Sequence, residues 1–531
     1  MPNNKNKHKH KHNKKKNSGN NNNEHDDDVN VVKVDDGDII NDSGSDTQNK
    51  AYNVEISDIF GRYLVCSRDL LASEIIIQQK PLVIGPIANC ENVPVCIGCY
   101  RPLGTMNECY RCTGCQFPLC GKHCKSVDHT KDECSFFKDN NLAKYLHKDD
   151  NIIELQHDYE TIIILRCLML KSSSQQLWEK LNEMESHCDI RKRIPELWER
   201  NEKTIVNRIR NKWNLLQFST EEIHRMCGIL EVNCFEVGSN STTARALFSE
   251  AFLMCHDCVP NTNHTDDPIT HELIVRTTKP LKKGEIISLS YAYTLQGTLK
   301  RRQHLHDSKF FWCTCERCKT SDELGSHASS LICPKCTHGL ILSTSPLNEN
   351  AEWRCHKCNF TLSAMFVMNL VTRLYDELDS LGGNDINQIE TFIEKYSKTL
   401  HKNHYIFLSA KHSLCQLYGK IDGFLINELS VAQLRRKETY CRDLLEVIDV
   451  LEPGSSRLRG VILYELHAPV MIQITRELQM GKIKNSDFKR QLREVIQILQ
   501  DSYDILRHEP NGSQEYEMAV AAKSALMSIK S

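Results

Sequence analysis

The sequence predicts an α+β multidomain protein with two β-rich stretches separated by a zinc finger and a helical segment. Further zinc-binding segments and an α-helical C-terminal domain follow. Three observations lead there. Cys and His pairs at metal-ligand spacing crowd the segment from Cys96 to Cys134. Short β-branched runs occur before that cluster and return well after it. From Ala364 onward apolar residues recur at helical spacing. A chain of 531 residues has room for two to four domains, each with its own core.

The finger comes first. Its order is Cys96-x2-Cys99, Cys112-x2-Cys115, Cys120-x3-Cys124 and His129-x4-Cys134. Each short gap lets a tight knuckle present two ligands to one ion, so four pairs suit two tetrahedral zincs. Alternating pairs assign Cys96, Cys99, Cys120 and Cys124 to one ion, and Cys112, Cys115, His129 and Cys134 to the other. His123 is a rival ligand within its knuckle. With every position filled by protein, both ions are structural and supply folding energy. Phe117 and Leu119 read as a small apolar plug between them.

Composition limits the rest. A formal net charge of -2 gives no bulk electrostatic pointer to nucleic acid or membrane. The opening residues are polar and basic without an apolar core of a signal peptide, and no apolar run reaches the ~18–20 residues of a membrane span. The 25 cysteines are therefore expected in a reducing, intracellular setting, where such spacing means zinc.

Along the chain, residues 1–50 are Lys/His/Asn-rich, then Asp/Gly/Ser-rich, with too little apolar mass to fold. The run from Lys5 to Lys16, holding His8, His10 and His12, reads as a solvated tail; a nuclear-import or nucleic-acid patch, or a weak metal binder, is the alternative. Strands are expected at Tyr63–Cys66, Glu74–Ile77 and Pro81–Ile84 within the 51–95 stretch. After the 96–134 finger, residues 135–230 read as helices, with Ile162, Ile163, Ile164 and Leu168 in one stretch and Trp198, Ile205, Ile209 and Trp213 in another. Strands resume over 231–293, with Ile274, Val275, Ile286, Ile287 and Leu289 as the β-rich pieces. The 361–531 segment reads as helix pairs joined by short polar turns, which suggests a superhelical array without a strict sequence period.

Two further constellations lie between. In the 294–325 segment, Cys313-x-Cys315-x2-Cys318 supplies three thiolates and lacks a fourth; Cys258 is the nearest isolated candidate, and spacing alone does not decide it. In the 326–360 segment, Cys333-x2-Cys336 and Cys355-x2-Cys358 flank the strand-like Leu340–Leu342 and form a zinc ribbon. The ten remaining cysteines, Cys66, Cys90, Cys109 and Cys234 among them, read as small core residues.

In this order the motifs resemble the SET-and-MYND (SMYD) family, in particular its arthropod branch. The 96–134 cluster is similar to the MYND finger, including Tyr110-x-Cys112 and Pro118-Leu119-Cys120, with one extra residue in the His129–Cys134 gap. Phe60-Gly61-Arg62-Tyr63-Leu64, Arg68-Asp69 and Pro81 to Pro86 resemble the opening SET strands. Asn233 to Glu236, Ala246 to Phe248, and Cys255-His256-Asp257-Cys258 resemble its middle, Gly284 to Tyr291 its close, and Phe311-x-Cys313 onward its post-SET cysteines. The resemblance covers about residues 50 to 420 and implies that the two β-rich stretches form one SET core, split by the finger and the helical insertion. It also implies that Cys258 completes the post-SET zinc, for four zinc ions in all.

The same resemblance implies a protein-lysine methyltransferase that uses S-adenosylmethionine on histone or other proteins, with a role in gene expression, in nucleus or cytoplasm. Tyr291 is then the catalytic tyrosine, with Tyr293 as its rival on the same face of a strand. Phe311 lines the channel, and Gly61, Arg62, Tyr63, Leu64, Asn233, Cys255, His256 and Tyr291 surround the cofactor. Two of these depart from the family's pattern: Tyr63 stands where a glycine is usual, and Cys255 where an asparagine holds the cofactor's amino group. The competing function is a SET scaffold of weak or no activity whose finger recruits Pro-rich peptides. A RING-type ubiquitin ligase would share the cross-braced zincs but leave the SET-like segments unexplained.

Overall fold

The computed structural model describes residues 50–530 apart from residues 90, 123, 125–128 and 240–241. The expectations for residues 1–49, Cys90 and His123 lie outside the described residues.

Four strands open the described chain: β1 (Tyr52–Ser57), β2 (Gly61–Cys66), β3 (Ile75–Gln79) and β4 (Val83–Pro86). The finger contributes a short hairpin, β5 (Tyr110–Arg111) and β6 (Pro118–Leu119), and is closed by helix α1 (Lys131–Asp139). The insertion follows as α2 (Ile152–Ser173), α3 (Gln175–Asn182), α4 (Cys188–Arg191), α5 (Pro195–Asn201) and α6 (Thr220–Asn233). After α5 the chain stays helical to Lys212 but widens into π-type turns, and a non-helical turn then leads to α6. Asn233, expected at the start of a strand, is the last residue of α6, and the strand begins at Phe235.

The β layer then resumes as β7 (Phe235–Ser239), β8 (Thr242–Leu247), β9 (Cys255–His256), β10 (Thr262–Asp266), β11 (Leu273–Thr277) and β12 (Ser288–Leu289). The two β-rich stretches form one core. β3 pairs antiparallel with β11, with Ile77 opposite Val275, and β4 pairs with β8, with Ile84 opposite Ala246. Val65 bridges Ile286, and Leu70 bridges Leu281. Leu64, Ile77, Ala246, Phe248, Val275 and Ile287 accordingly share one apolar cluster drawn from both sides of the insertion. A pairing at this sequence distance closes a very long loop, yet loop-closure entropy grows only logarithmically, so the inserted finger and helices cost little extra.

α2 explains how the insertion seats on that core. It is buried on most of its faces, as its all-apolar run requires. Gly85 in β4 lies directly beneath it, where a Cβ would come within 2.5 Å of Ile163 Cβ. Arg166 then leaves α2 to donate to Ile84 O at 2.7 Å, Tyr100 Oη at 2.8 Å and Ile97 O at 2.8 Å, which fixes the finger against the β core.

Past the core come α7 (Thr298–Lys309) and α8 (Glu316–Lys319), then the antiparallel ribbon β13 (Leu331–Ile332), β14 (Leu340–Ser343), β15 (Trp353–Cys355) and β16 (Thr361–Leu362). Helices α9 (Ala364–Ser380), α10 (Ile386–Tyr396), α11 (Tyr405–Leu417), α12 (Val431–Leu451), α13 (Arg457–Gln479), α14 (Asn485–Leu506) and α15 (Gln514–Lys530) complete the chain. From α10 on, each packs chiefly on its neighbours in sequence. Among the described residues no helix is long and apolar enough to cross a membrane.

Candidate active site and metal centres

The sixteen metal-ligand candidates gather into four sets. Cys96, Cys99, Cys120 and Cys124 meet; so do Cys112, Cys115, His129 and Cys134; Cys258, Cys313, Cys315 and Cys318; and Cys333, Cys336, Cys355 and Cys358, with ligand atoms in each set within 4.8 Å of one another. The donor sets fit zinc quantitatively. A tetrahedron with Zn–S near 2.3 Å has S···S edges of about 3.8 Å. The observed edges are 3.7 Å for Cys96–Cys124, 3.6 Å for Cys112–Cys134, 3.6 Å for Cys258–Cys318 and 3.7 Å for Cys336–Cys355.

Sequence spacing missed what surrounds these ligands. In the finger, Nε2 of His129 stands 3.5 Å from Cys115 Sγ, while its Nδ1 stands 3.3 Å from Glu133, one turn into α1. A carboxylate on Nδ1 fixes the tautomer that leaves Nε2 free to ligate. Glu133 is buried and also accepts from Arg166, so one ion pair ties this zinc set to α2. Phe117 and Phe137 pack beside it with ring centroids 4.4 Å apart.

At the Cys258 set, Arg301 Nε lies 3.3 Å from Cys258 Sγ, and its Nη2 lies 3.6 Å from Cys318 Sγ. Guanidinium donors offset thiolate charge in a buried place. Arg317, inside the cysteine motif itself, donates to the carbonyls of Cys258 and Thr294. Both arginines meet Glu323 at 2.8 Å. Burial alone would raise that carboxyl, but Arg301 and Arg317 hold it down to about 2. Glu323 offered no signal in the sequence beyond a lone acid in a polar stretch.

The candidate cofactor and catalytic residues divide into two groups. Tyr291, His256 and Phe311 come together: the His256 ring lies 5.3 Å from the Tyr291 ring and 5.9 Å from that of Phe311. Tyr291 N–H donates to His256 Nδ1 at 3.0 Å, and the Tyr291 hydroxyl donates to Met254 O. Burial, then the nearby Cys255 thiol, pushes the Tyr291 phenol above its ordinary range. Cys255 is itself held neutral, pushed up to about 11 by burial and then by Asp257. Tyr293 does not share a face with Tyr291. The strand ends at Leu289, and the chain bends through Tyr291 and Ala292 as Ser290 Oγ bonds Ala292 O, leaving Tyr293 half exposed.

The second group lines the β1–β2 hairpin and the end of α6. Gly61 has a φ of +64°, and a Cβ there would meet nothing within 4 Å, so backbone conformation favours glycine here rather than crowding. Arg62 reaches Glu183 at 3.0 Å and lies over the Phe252 ring, linking hairpin to insertion. Tyr63 sits opposite Glu55, donates to its carboxylate at 3.2 Å and tilts against Phe60. Leu64 is fully buried in the core. Asn233 spends both amide protons on Glu185 O and Ile229 O, at 2.9 and 2.8 Å, which leaves its Oδ1 as an acceptor. A separate cavity of about 740 Å³ lies among α7, the ribbon, α9 and α11, lined by Trp353, Met368, Tyr375 and Tyr405; none of the sequence-predicted cofactor residues lines it.

A β core spliced around a double-zinc finger, with a cysteine-rich closure beside its last strand, is the arrangement that the sequence motifs imply. No protein-family model matches the chain. It is 23% identical to the Drosophila melanogaster SET domain-containing protein SmydA-8, isoform A, over 427 residues, 78% of this chain and 88% of that protein. It is 24% identical over 486 residues to the Arabidopsis thaliana histone-lysine N-methyltransferase ASHR1, covering 87% and 92%. A 97-residue stretch is 36% identical to human N-lysine methyltransferase SMYD2, covering 18% and 22%. A solved SET domain of LSMT bound to MeLysine and AdoHcy aligns with 91% of this chain and 89% of that one, but at 11% identity and a TM-score of 0.28 it is too distant to carry weight.

Proposed function

We propose that this chain is a protein-lysine N-methyltransferase that uses S-adenosylmethionine on histone or non-histone proteins and so regulates gene expression, in the nucleus, the cytoplasm or both. The observation that carries the reading is Tyr291, half-buried and packed against His256, which lies in turn against Phe311, at the close of the SET core. The cofactor supplies a methyl group on a sulfonium. The chain's part is to orient a neutral lysine amine in line with it, exclude water and place dipoles near the changing charge. Tyr291 is the group placed to do this, since its hydroxyl points at Met254 O beside β9. With both Asn233 amide protons engaged, its Oδ1 is the atom that would accept from an ammonium, and Phe311 forms an apolar wall next to His256.

The test is Tyr291→Phe. The methylation rate on a peptide library should fall at least tenfold while cofactor affinity stays within about twofold, because the hydroxyl acts on the reacting groups. An unchanged rate would reject Tyr291 as catalytic.

One observation favours a second reading. The neutral thiol of Cys255 is a poor acceptor for an ammonium, which suits a SET scaffold of weak or no activity that recruits Pro-rich peptides through its finger. Calorimetric titration of cofactor into zinc-loaded protein separates the two, since the scaffold binds none.

A further inference from the structure

Lys309 ends α7 and turns its ammonium into the site just described. Its Nζ donates to Val232 O at 2.8 Å and Glu231 O at 3.1 Å, and lies 5.9 Å from the centroid of the Tyr291 ring. The carbonyls belong to the last turn of α6, the end at which a helix leaves its acceptors unpaired and carries partial negative charge. Backbone carbonyls plus an aromatic face make a cation site. Lys309 fills it with the chain's own positive charge, one residue from Asn233 in space through Val232 and two residues before Phe311 in sequence. The two carbonyls and the ring are dipoles, and the Glu231 carboxylate is the nearby counter-charge. Desolvation of Nζ lowers the Lys309 pKa, against which Glu231 and Cys234 push back.

A methyltransferase site has to admit cations: a sulfonium cofactor with its own ammonium, then a lysine. We propose that Lys309 is an internal cation that sets the selectivity of this site, weakening the sulfonium form of the cofactor relative to its neutral thioether product. The inference rests on the methyltransferase reading and deepens it. Two unit charges within roughly 10 Å in a partly desolvated site repel enough to change affinity by about tenfold, whereas a neutral thioether in the same place feels little. The bland alternative is that Lys309 merely caps α6, as basic residues near helix C-termini do. A lost cap disturbs the α6 end for both ligands alike, so the ratio of their affinities separates the two roles.

The experiment titrates S-adenosylmethionine and S-adenosylhomocysteine separately into zinc-loaded full-length protein by calorimetry, for wild type, Lys309→Gln, Lys309→Met and Lys309→Arg. Removing the charge should tighten S-adenosylmethionine about tenfold and change S-adenosylhomocysteine by less than about twofold, while Lys309→Arg keeps the wild-type ratio. Binding of the sulfonium that emerges only in the neutral variants also supports the inference. Equal shifts for both ligands, or no shift, overturn it and leave the methyltransferase reading standing. If neither ligand binds to any of the four proteins, the reading and the inference fall together.

Discussion

The backbone N–H of Tyr291 donates to Nδ1 of His256 at 3.0 Å, and Nε2 of the same ring stands 3.2 Å from Cys258 Sγ. A ring whose Nδ1 accepts carries its proton on Nε2 and points it at the sulfur. One imidazole therefore joins the backbone of the proposed catalytic tyrosine to a member of the Cys258, Cys313, Cys315 and Cys318 set. Arg301 and Arg317 hold that same set to α7 and to the carbonyl of Thr294. The cysteine cluster and the channel residues are thus one hydrogen-bonded unit.

His256→Phe keeps an aromatic ring of similar size and removes both bonds. The half-buried Tyr291 N–H loses its acceptor, at a cost of about 1–3 kcal/mol. The methylation rate should drop at least tenfold, with zinc retained at the finger and the ribbon. Metal analysis beside a rate assay checks this, and a fully active variant would show that the imidazole does not position Tyr291.

Glu133→Ala removes the carboxylate from His129 Nδ1 and takes the counter-charge from Arg166 of α2. Loss of such an outer partner typically weakens metal affinity about ten- to a hundredfold, and breaking a buried ion pair costs up to about 3–5 kcal/mol of stability, here lessened because Arg166 keeps its bonds to Ile84 O, Ile97 O and Tyr100 Oη. Chelator competition on wild type should release zinc from four sites. In the variant, one should empty well before the rest. Four equally retained zincs would remove Glu133 from the metal account.

The ligand knuckles were readable because metal geometry forces short, local spacing. Three of the post-SET ligands fit that rule, but Cys258 lies 55 residues from Cys313 and needed the family resemblance to place it. The partners of the ligands obey no local spacing. Glu133, Arg166, Arg301 and Glu323 look like ordinary surface charges in one dimension, and only the fold buries them. The β runs were legible as strands, whereas their pairing across the insertion depends on contacts such as Ile84 with Ala246 that no period reveals. The Tyr293 error has the same origin. Period two holds only while a strand continues, and this one stops at Leu289.

Stability should fall with acid partly through His404, the N-cap of α11. The ring is fully buried, and its Nδ1 accepts from Ile406 N–H. Burial, with His401 nearby, holds its pKa down to about 3, against a weaker upward pull from Glu323. The unfolded chain therefore takes up a proton near pH 6.5 that the folded chain refuses. This contribution is fully present above pH 6.5 and is lost as pH falls toward 3, at about 1.4 kcal/mol per unit. His404→Asn keeps a capping acceptor without the titration. Between pH 7.5 and 5 the urea midpoint of wild type should fall further than that of the variant, by the equivalent of about 2 kcal/mol. Parallel curves would show that the ring does not resist protonation.

Cys255 decides between enzyme and scaffold. Its thiol stays neutral, pushed up to about 11 chiefly by burial, and lies 3.8 Å from Ile287 O. An asparagine there would offer a carbonyl oxygen, and a charge-assisted hydrogen bond is worth about 1.5–3 kcal/mol, or roughly ten- to a hundredfold in affinity. Tyr63 is the other departure from the family's pattern, but its hydroxyl is engaged by Glu55 across the β1–β2 hairpin. Cys255→Asn alone should then tighten S-adenosylmethionine by about tenfold or more, and adding Tyr63→Gly should contribute little. A gain that requires Tyr63→Gly would mean that the ring turns inward and blocks the site. Absence of cofactor binding even in the double variant would discard the methyltransferase and leave the scaffold, whereas micromolar binding by wild type would discard the inactive scaffold.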